Sequence, residues 1–355
     1  MLKRMPTQTK CVTSMVTLLV VGSILIFKEG GLEMSSMYNG VTSHASDHSD
    51  PPTSQFVPSW EFVNDTVPYL GNLECIFATG LGMSIQNASD CGKLRYHPYQ
   101  GYNALDPMAV FRKLPNQTTI YMIGDSVTVQ HGVDVLCLLA SISRTIRKDI
   151  TLQKWGTYVN HFVNATFRID ENNGPDITVV VQVEYGGHKN LLKLLDMGRR
   201  DDIFVLNQGL HYMSNERPHN TPEVLLKDFE DIQLTLESAI NRGLRVVWRE
   251  TSAVHFDTDD GYFDPELILT DQKAKKAYCV SSLELNSTRS RQRSDGLLVP
   301  LMKTLNISIL EVWEASFLLP EWCHVGEGID CLHFIMPGAT SFFTETLISY
   351  IAESF

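Results

Sequence analysis

Three side chains, far apart in this chain, are of the types that together make a serine nucleophile. Ser126 lies in the run Ile123-Gly124-Asp125-Ser126, and Asp330 and His333 stand three residues apart near the chain's end. A serine hydroxyl attacks a carbonyl only when a base takes its proton. Histidine suits that task near neutral pH, and a carboxylate on its other ring nitrogen holds the tautomer it needs. The spacing of Asp330 and His333 lets both face one site from a single loop. Attack leaves negative charge on the carbonyl oxygen, and donors must be aimed at it. Ser126 at a strand-to-helix turn would bring its own N–H, at a helix N-terminus. Gly124, Asp125, Gly186 and Asn207 are the further candidates on the oxyanion side; His211 is a candidate for lining the acceptor cleft or for a structural role, and Arg249 for binding a substrate or an internal carboxylate. Alone, Gly-Asp-Ser is a common turn, more often a helix cap than a catalytic site; the combination and order of the blocks point to acyl transfer. His324, in Trp322-Cys323-His324, is a rival histidine without an Asp three residues upstream. No Cys/His spacing of the zinc type stands out, so no metal is expected.

The elements that must hold these groups are legible in the pattern. Thr119 to Ile123 is a short apolar strand ending in the Gly-Asp-Ser turn, and Val127 to Ala140 follows as a helix. Further strands are expected at Ile177 to Val183, Asp202 to Asn207, Leu244 to Trp248 and Ile307 to Val312. Pro222 to Arg242 carries Leu225, Leu226, Phe229, Ile232, Leu236 and Ile240 at helical spacing, with Thr221 as cap and Pro222 at the first position. Leu297 to Leu305 and Ala339 to Ala352 complete the helices. This alternation predicts an α/β domain of three layers with a mostly parallel sheet. In such sheets sites lie beyond the carboxyl ends of strands, which is where Ser126, Gly186, Asn207 and Arg249 fall.

The rest of the chain bears on its address. Lys3, Arg4 and Lys10 precede an uncharged apolar run from Cys11 to Phe27, close to the shortest length that spans a membrane, roughly 17–25 residues. With the basic flank upstream, residues 1–10 are expected in the cytosol, 11–27 as an uncleaved signal anchor, favoured over a cleaved signal peptide because no clear Ala-x-Ala site follows, and 28–59 as a flexible stem. Residues 60–355 would form the lumenal catalytic domain. Six sequons, at Asn64, Asn87, Asn116, Asn164, Asn286 and Asn306, fit a lumenal fate. So do six cysteines beyond the apolar run: Cys75, Cys91, Cys137, Cys279, Cys323 and Cys331. Their pairing is open, and Cys137, inside a helical run, is the candidate for a free buried thiol. The net charge of -12 argues against nucleic acid. Nothing in the sequence speaks to oligomeric state.

Two blocks are informative together: Tyr121 to Ser126 followed by Val135-Leu136-Cys137-Leu138-Leu139, and Asp330-Cys331-Leu332-His333-Phe334-Ile335-Met336-Pro337-Gly338. Between them stand Asn207-Gln208-Gly209-Leu210-His211-Tyr212 and Trp248-Arg249-Glu250-Thr251-Ser252. In these blocks the chain resembles the PC-esterase group of the SGNH superfamily, which includes the plant trichome birefringence-like polysaccharide O-acetyltransferases. The resemblance implies an SGNH-hydrolase-like fold, acylation of Ser126, His333 as base and Asp330 as its orienting carboxylate. It also implies a type II Golgi membrane enzyme, with acetyl-CoA or another acetylated carrier as co-substrate, no bound cofactor, and a glycan hydroxyl as acceptor. The chain looks like a divergent member: where plant members carry an Arg or Asn-Arg after Gly-Asp-Ser it has Val127-Thr128-Val129-Gln130-His131, with Gln130 or His131 the candidates to substitute. Ile335 replaces a family cysteine, so one family disulfide is expected to be missing. The alternatives are an acetyl esterase with the same triad, and a non-catalytic glycan-binding protein on the same scaffold.

Overall fold

The computed structural model describes residues 58–62, 90–99, 102–155, 158–170, 173–184, 189–213, 221–263, 279–325, 330–336 and 338–355. All of them fall in one unit, Gln55–Phe355. In chain order the elements are β1 (Ser59–Phe62), β2 (Leu94–His97), α1 (Pro107–Phe111), β3 (Thr118–Gly124), α2 (Ser126–Ile142), β4 (Arg144–Trp155), β5 (Tyr158–Arg168), β6 (Asp176–Val183), α3 (Lys189–Met197), β7 (Ile203–Leu206) and α4 (Leu210–Met213). They continue with α5 (Pro222–Asn241), β8 (Arg245–Arg249), α6 (Ser287–Asp295), α7 (Leu298–Thr304), β9 (Ser308–Leu310), α8 (Trp313–Phe317), β10 (Asp330–Phe334) and α9 (Ala339–Ser354).

Seven strands form the main sheet in the order β4-β5-β6-β3-β7-β8-β9. The five from β6 to β9 run parallel, as β-branched runs such as Ile177-Thr178-Val179-Val180-Val181 favour. Every residue of β7 is buried, so both faces of the sheet are covered. The expected α/β architecture with a mostly parallel sheet therefore stands. One part was not foreseen: β4 and β5 extend the sheet antiparallel, as a long hairpin beyond β6. β5 does alternate, with Val163, Ala165 and Phe167 buried, but β4 opens with Arg144, Arg147, Lys148 and Asp149, and that charge masks the hairpin in sequence.

The chain leaves β3 toward β6 on one side and then crosses to β7, β8 and β9 on the other. The reversal opens a crevice at the carboxyl ends of β3 and β7, the place where α/β sheets of this order bind ligands. The Gly-Asp-Ser turn sits there. α2, which follows it, is buried from Val127 to Leu139. Gly132 lets it lie close to the sheet, because a Cβ there would come within 2.6 Å of Val181. On α2's outer side α9 packs against it, and the Thr344 hydroxyl of α9 donates to the buried Asp134 carboxylate at 2.6 Å.

Two disulfides, Cys91–Cys323 and Cys279–Cys331, tie the segment carrying Asp330 and His333 to the rest. Cys137 is disulfide-bonded as well, so it is not the free thiol its apolar surroundings suggested. Cys75 lies outside the described residues, as do Asn64, Asn87 and the expected anchor and cytosolic tail. Among the described residues no helix is long and apolar enough to cross a membrane. Asn116, Asn286 and Asn306 are exposed, and Asn164 is half-buried in β5.

Candidate functional site

The nucleophile turn is built by Asp125. Its Oδ1 accepts the backbone N–H groups of Val127 and Thr128, both at 3.0 Å, which caps α2 and makes Ser126 the first helical residue. The Ser126 N–H is left as the first-turn donor that the cap does not take. Gly124 is required by close approach: a Cβ would stand 2.4 Å from the Asn207 carbonyl oxygen and from Thr128 Oγ1. The strand ends are stitched around it. Glu184 N–H donates to the Gly124 carbonyl at 2.7 Å and Asn207 N–H to the Ile123 carbonyl at 3.0 Å.

Beneath the turn lies Arg249, fully buried at the end of β8. Its Nη2 donates to Thr128 Oγ1 at 3.0 Å and stands 3.5 Å from Asp125 Oδ1. Burial pulls the guanidinium below its ordinary value, and the charges of Asp125, Asp295 and Glu250 oppose that. The structure thus gives Arg249 an internal carboxylate as partner. Of the two expectations for Arg249, an internal carboxylate or a substrate, the structure shows the first, and complete burial keeps the side chain out of a cleft. Asp125 is likewise occupied as cap and counter-ion.

Across the turn stands β10. His333 Nε2 is 2.7 Å from Ser126 Oγ, and His333 Nδ1 is 2.8 Å from Asp330 Oδ2. A carboxylate only accepts, so Nδ1 carries the ring proton and Nε2 offers its lone pair to the serine O–H. Asp330 Oδ1 accepts the N–H groups of Leu332 and His333, each at 3.2 Å. Burial raises the Asp330 carboxyl, but the His333 ring and these backbone donors outweigh it and hold the group below the ordinary carboxylate value. The two residues sit on a short strand, not on the loop that the spacing suggested; β10 is bridged antiparallel to His324 and Val325. Their side chains keep 26% and 41% exposure, so the dyad opens to solvent.

His324 supports this strand. It is fully buried, its Nδ1 is 3.2 Å from the His333 carbonyl, and its ring centroid lies 4.8 Å from that of His255. Burial holds both rings below the ordinary histidine value, His255 at about 4, so both stay neutral. The rival histidine is a prop for the strand that carries His333. His131 is also buried, edge-on to Phe343, and held neutral by burial and by Arg249. Neither His131 nor Gln130 takes the place of the missing basic residue. The Gln130 amide is spent on the backbone of Phe334.

Of the remaining candidates, Asn207 is fully buried, and its Nδ2 donates to the Arg249 carbonyl at 2.9 Å and to Thr251 Oγ1 at 3.3 Å. Its amide hydrogens therefore join β7 to β8 and are not aimed at an oxyanion in this state. His211 is half-buried on α4, and Gly186 lies outside the described residues. Buried acids that the sequence did not single out surround the site. Glu184, at the end of β6, is pushed up to about 7 by burial. So is Asp295, by burial and the nearby Glu250. Glu250 accepts from the N–H groups of Val312 and Trp313, both at 2.9 Å, and pairs with Arg291. The signal for such groups in sequence is a charged residue directly after a buried strand, as at Glu184 and Glu250. Among the described residues no cluster of three or more His, Cys, Asp or Glu could hold a metal. The chain matches no protein-family model and no curated protein.

Proposed function

We propose that the chain is a serine O-acyltransferase of the SGNH type, similar to the PC-esterase polysaccharide O-acetyltransferases. It acts on glycan hydroxyls through an acyl-Ser126 intermediate. The observation that carries this reading is the unbroken hydrogen-bond chain Ser126–His333–Asp330 at a helix N-terminus in the crevice of a parallel sheet. His333 takes the Ser126 proton as Oγ attacks the donor's acyl carbonyl. The leaving group takes that proton from the imidazolium. An acceptor hydroxyl then gives its own proton to His333, attacks the acyl-serine and carries the acyl group away, and Ser126 recovers a proton. The Ser126 N–H faces the developing oxyanion. Acetyl-CoA or another acetylated carrier is the proposed donor. The apolar run at 11–27 and the sequons support a type II Golgi protein with this domain in the lumen.

The exposure of His333 and Asp330 favours a second reading, an acetyl esterase, because water reaches the same dyad. The test loads Ser126 from an acetyl donor and follows its unloading with and without glycan acceptor. Faster unloading with acceptor supports the transferase; equal rates make the enzyme an esterase.

A further inference from the structure

α2 meets β10 through two polar side chains one helical turn apart. Ser126 gives its hydroxyl to His333 Nε2 at 2.7 Å. Gln130 is four residues on, hence on the same face and about 6 Å along the axis. Its Nε2 donates to the Phe334 carbonyl at 2.8 Å, and its Oε1 accepts the Phe334 N–H at 3.1 Å. One amide thus pairs with both backbone groups of the residue that follows His333, much as the edge of a strand would. Gln130 and Phe334 are 2% and 1% exposed, so no water competes for these groups. Losing either bond leaves a buried backbone group unpaired, which costs more than the bond itself contributes.

The other restraints on β10 come from its own side of the cleft. They are the Cys279–Cys331 disulfide, the His255 N–H to the Cys331 carbonyl at 3.1 Å, the Ile335 N–H to the Cys323 carbonyl at 2.8 Å, and His324 on the His333 carbonyl. Among the described residues, the hydrogen bonds that join the nucleophile's helix to the base's strand are those of Ser126 and Gln130.

We infer that Gln130 is a positioning residue for acyl transfer: it sets the register of β10 against α2 and so the contact between Ser126 and His333. The inference rests on the serine-nucleophile reading above and deepens it. It also gives a role to one of the four buried polar side chains of α2 besides Ser126, which are Thr128, Gln130, His131 and Asp134.

The test compares Gln130→Met, which keeps length without an amide, and Gln130→Glu, which keeps the acceptor, with the unaltered chain. The readouts are the labelling rate of Ser126 by a fluorophosphonate, kcat and KM for p-nitrophenyl acetate, and the unfolding temperature. A displacement of the base by a fraction of an ångström to 1 Å should lower kcat and the labelling rate about 10–100-fold in Gln130→Met, with KM within about twofold. Gln130→Glu should lose less. Wild-type labelling rates in the folded variants overturn the inference, even if their unfolding temperatures fall. If Gln130→Met does not fold, Gln130→Glu decides by the same criterion. Failure of the unaltered chain to label overturns the nucleophile reading itself, and this inference with it.

Discussion

Replacing Asp330 by Asn keeps the shape of the side chain, and its effect depends on which way the new amide turns. Asp330 Oδ1 accepts two backbone N–H groups at 3.2 Å, while Oδ2 accepts from His333 Nδ1 at 2.8 Å. An Asn keeps the backbone pair only by placing its oxygen there, which turns its NH2 toward Nδ1. Nδ1 must then accept, the ring proton moves to Nε2, and Ser126 faces an N–H where it had a lone pair. Turning the amide over restores the base but sets its NH2 against two N–H groups. With the side chain 41% exposed, the low end of the penalty applies, roughly 1 kcal/mol for each, or about 2 kcal/mol together. That leaves about one molecule in 30 competent. The smallest expected loss in kcat is therefore about 30-fold, and the largest is the roughly 10⁴-fold that the wrong tautomer costs a serine–histidine pair. Hydrolysis of p-nitrophenyl acetate and fluorophosphonate labelling both read it, and the unfolding temperature should hardly move. Activity within about threefold of wild type would refute the argument that Asp330 sets the His333 tautomer.

Two further outcomes follow from the buried framework. Asp134, fully buried between α2 and α9, is pushed up from 3.8 to about 7 by burial. The folded chain therefore holds a proton that the unfolded chain has lost. This group's contribution is full below about pH 4, declines as pH rises to about 7 and is flat beyond, a span of about 4 kcal/mol at most. Asp134→Asn should flatten urea-unfolding stability between those pH values and raise it above wild type beyond them; parallel curves would exclude a protonated Asp134. The Cys279–Cys331 bridge spans 52 residues and ends two residues before His333. Loop entropy assigns it about 4 kcal/mol, so Cys279→Ser with Cys331→Ser should lower the unfolding midpoint and slow Ser126 labelling. An unchanged labelling rate would show that β10 holds its place without the bridge.

The parallel strands were legible because each is a continuous apolar, β-branched run ended by a turn. The helix at Pro222–Asn241 was legible to within a residue because its apolar residues repeat at helical spacing and Thr221 caps it, accepting from the Val224 N–H. Ser126, Asp330 and His333 were legible as types in a known order; their meeting is a tertiary fact. The β4–β5 hairpin was not: β5 alternates at Val163, Ala165 and Phe167, but the charged opening of β4 hides its partner strand. Arg249 was legible only as a choice, because a strand-end arginine looks the same whether it turns to a cleft or, as here, to Asp125 inside. Gln130 was invisible as a clamp: its partners are backbone groups of Phe334, and backbone groups leave no mark in sequence.

The central claim is that Ser126 becomes acylated. Peptide mass spectrometry after brief exposure to an acetyl donor and an acid quench reads it directly. An acetyl ester is expected on Ser126 and is expected to be absent from Ser126→Ala and from His333→Ala. Acetyl on another residue, or label that persists in Ser126→Ala, would contradict it.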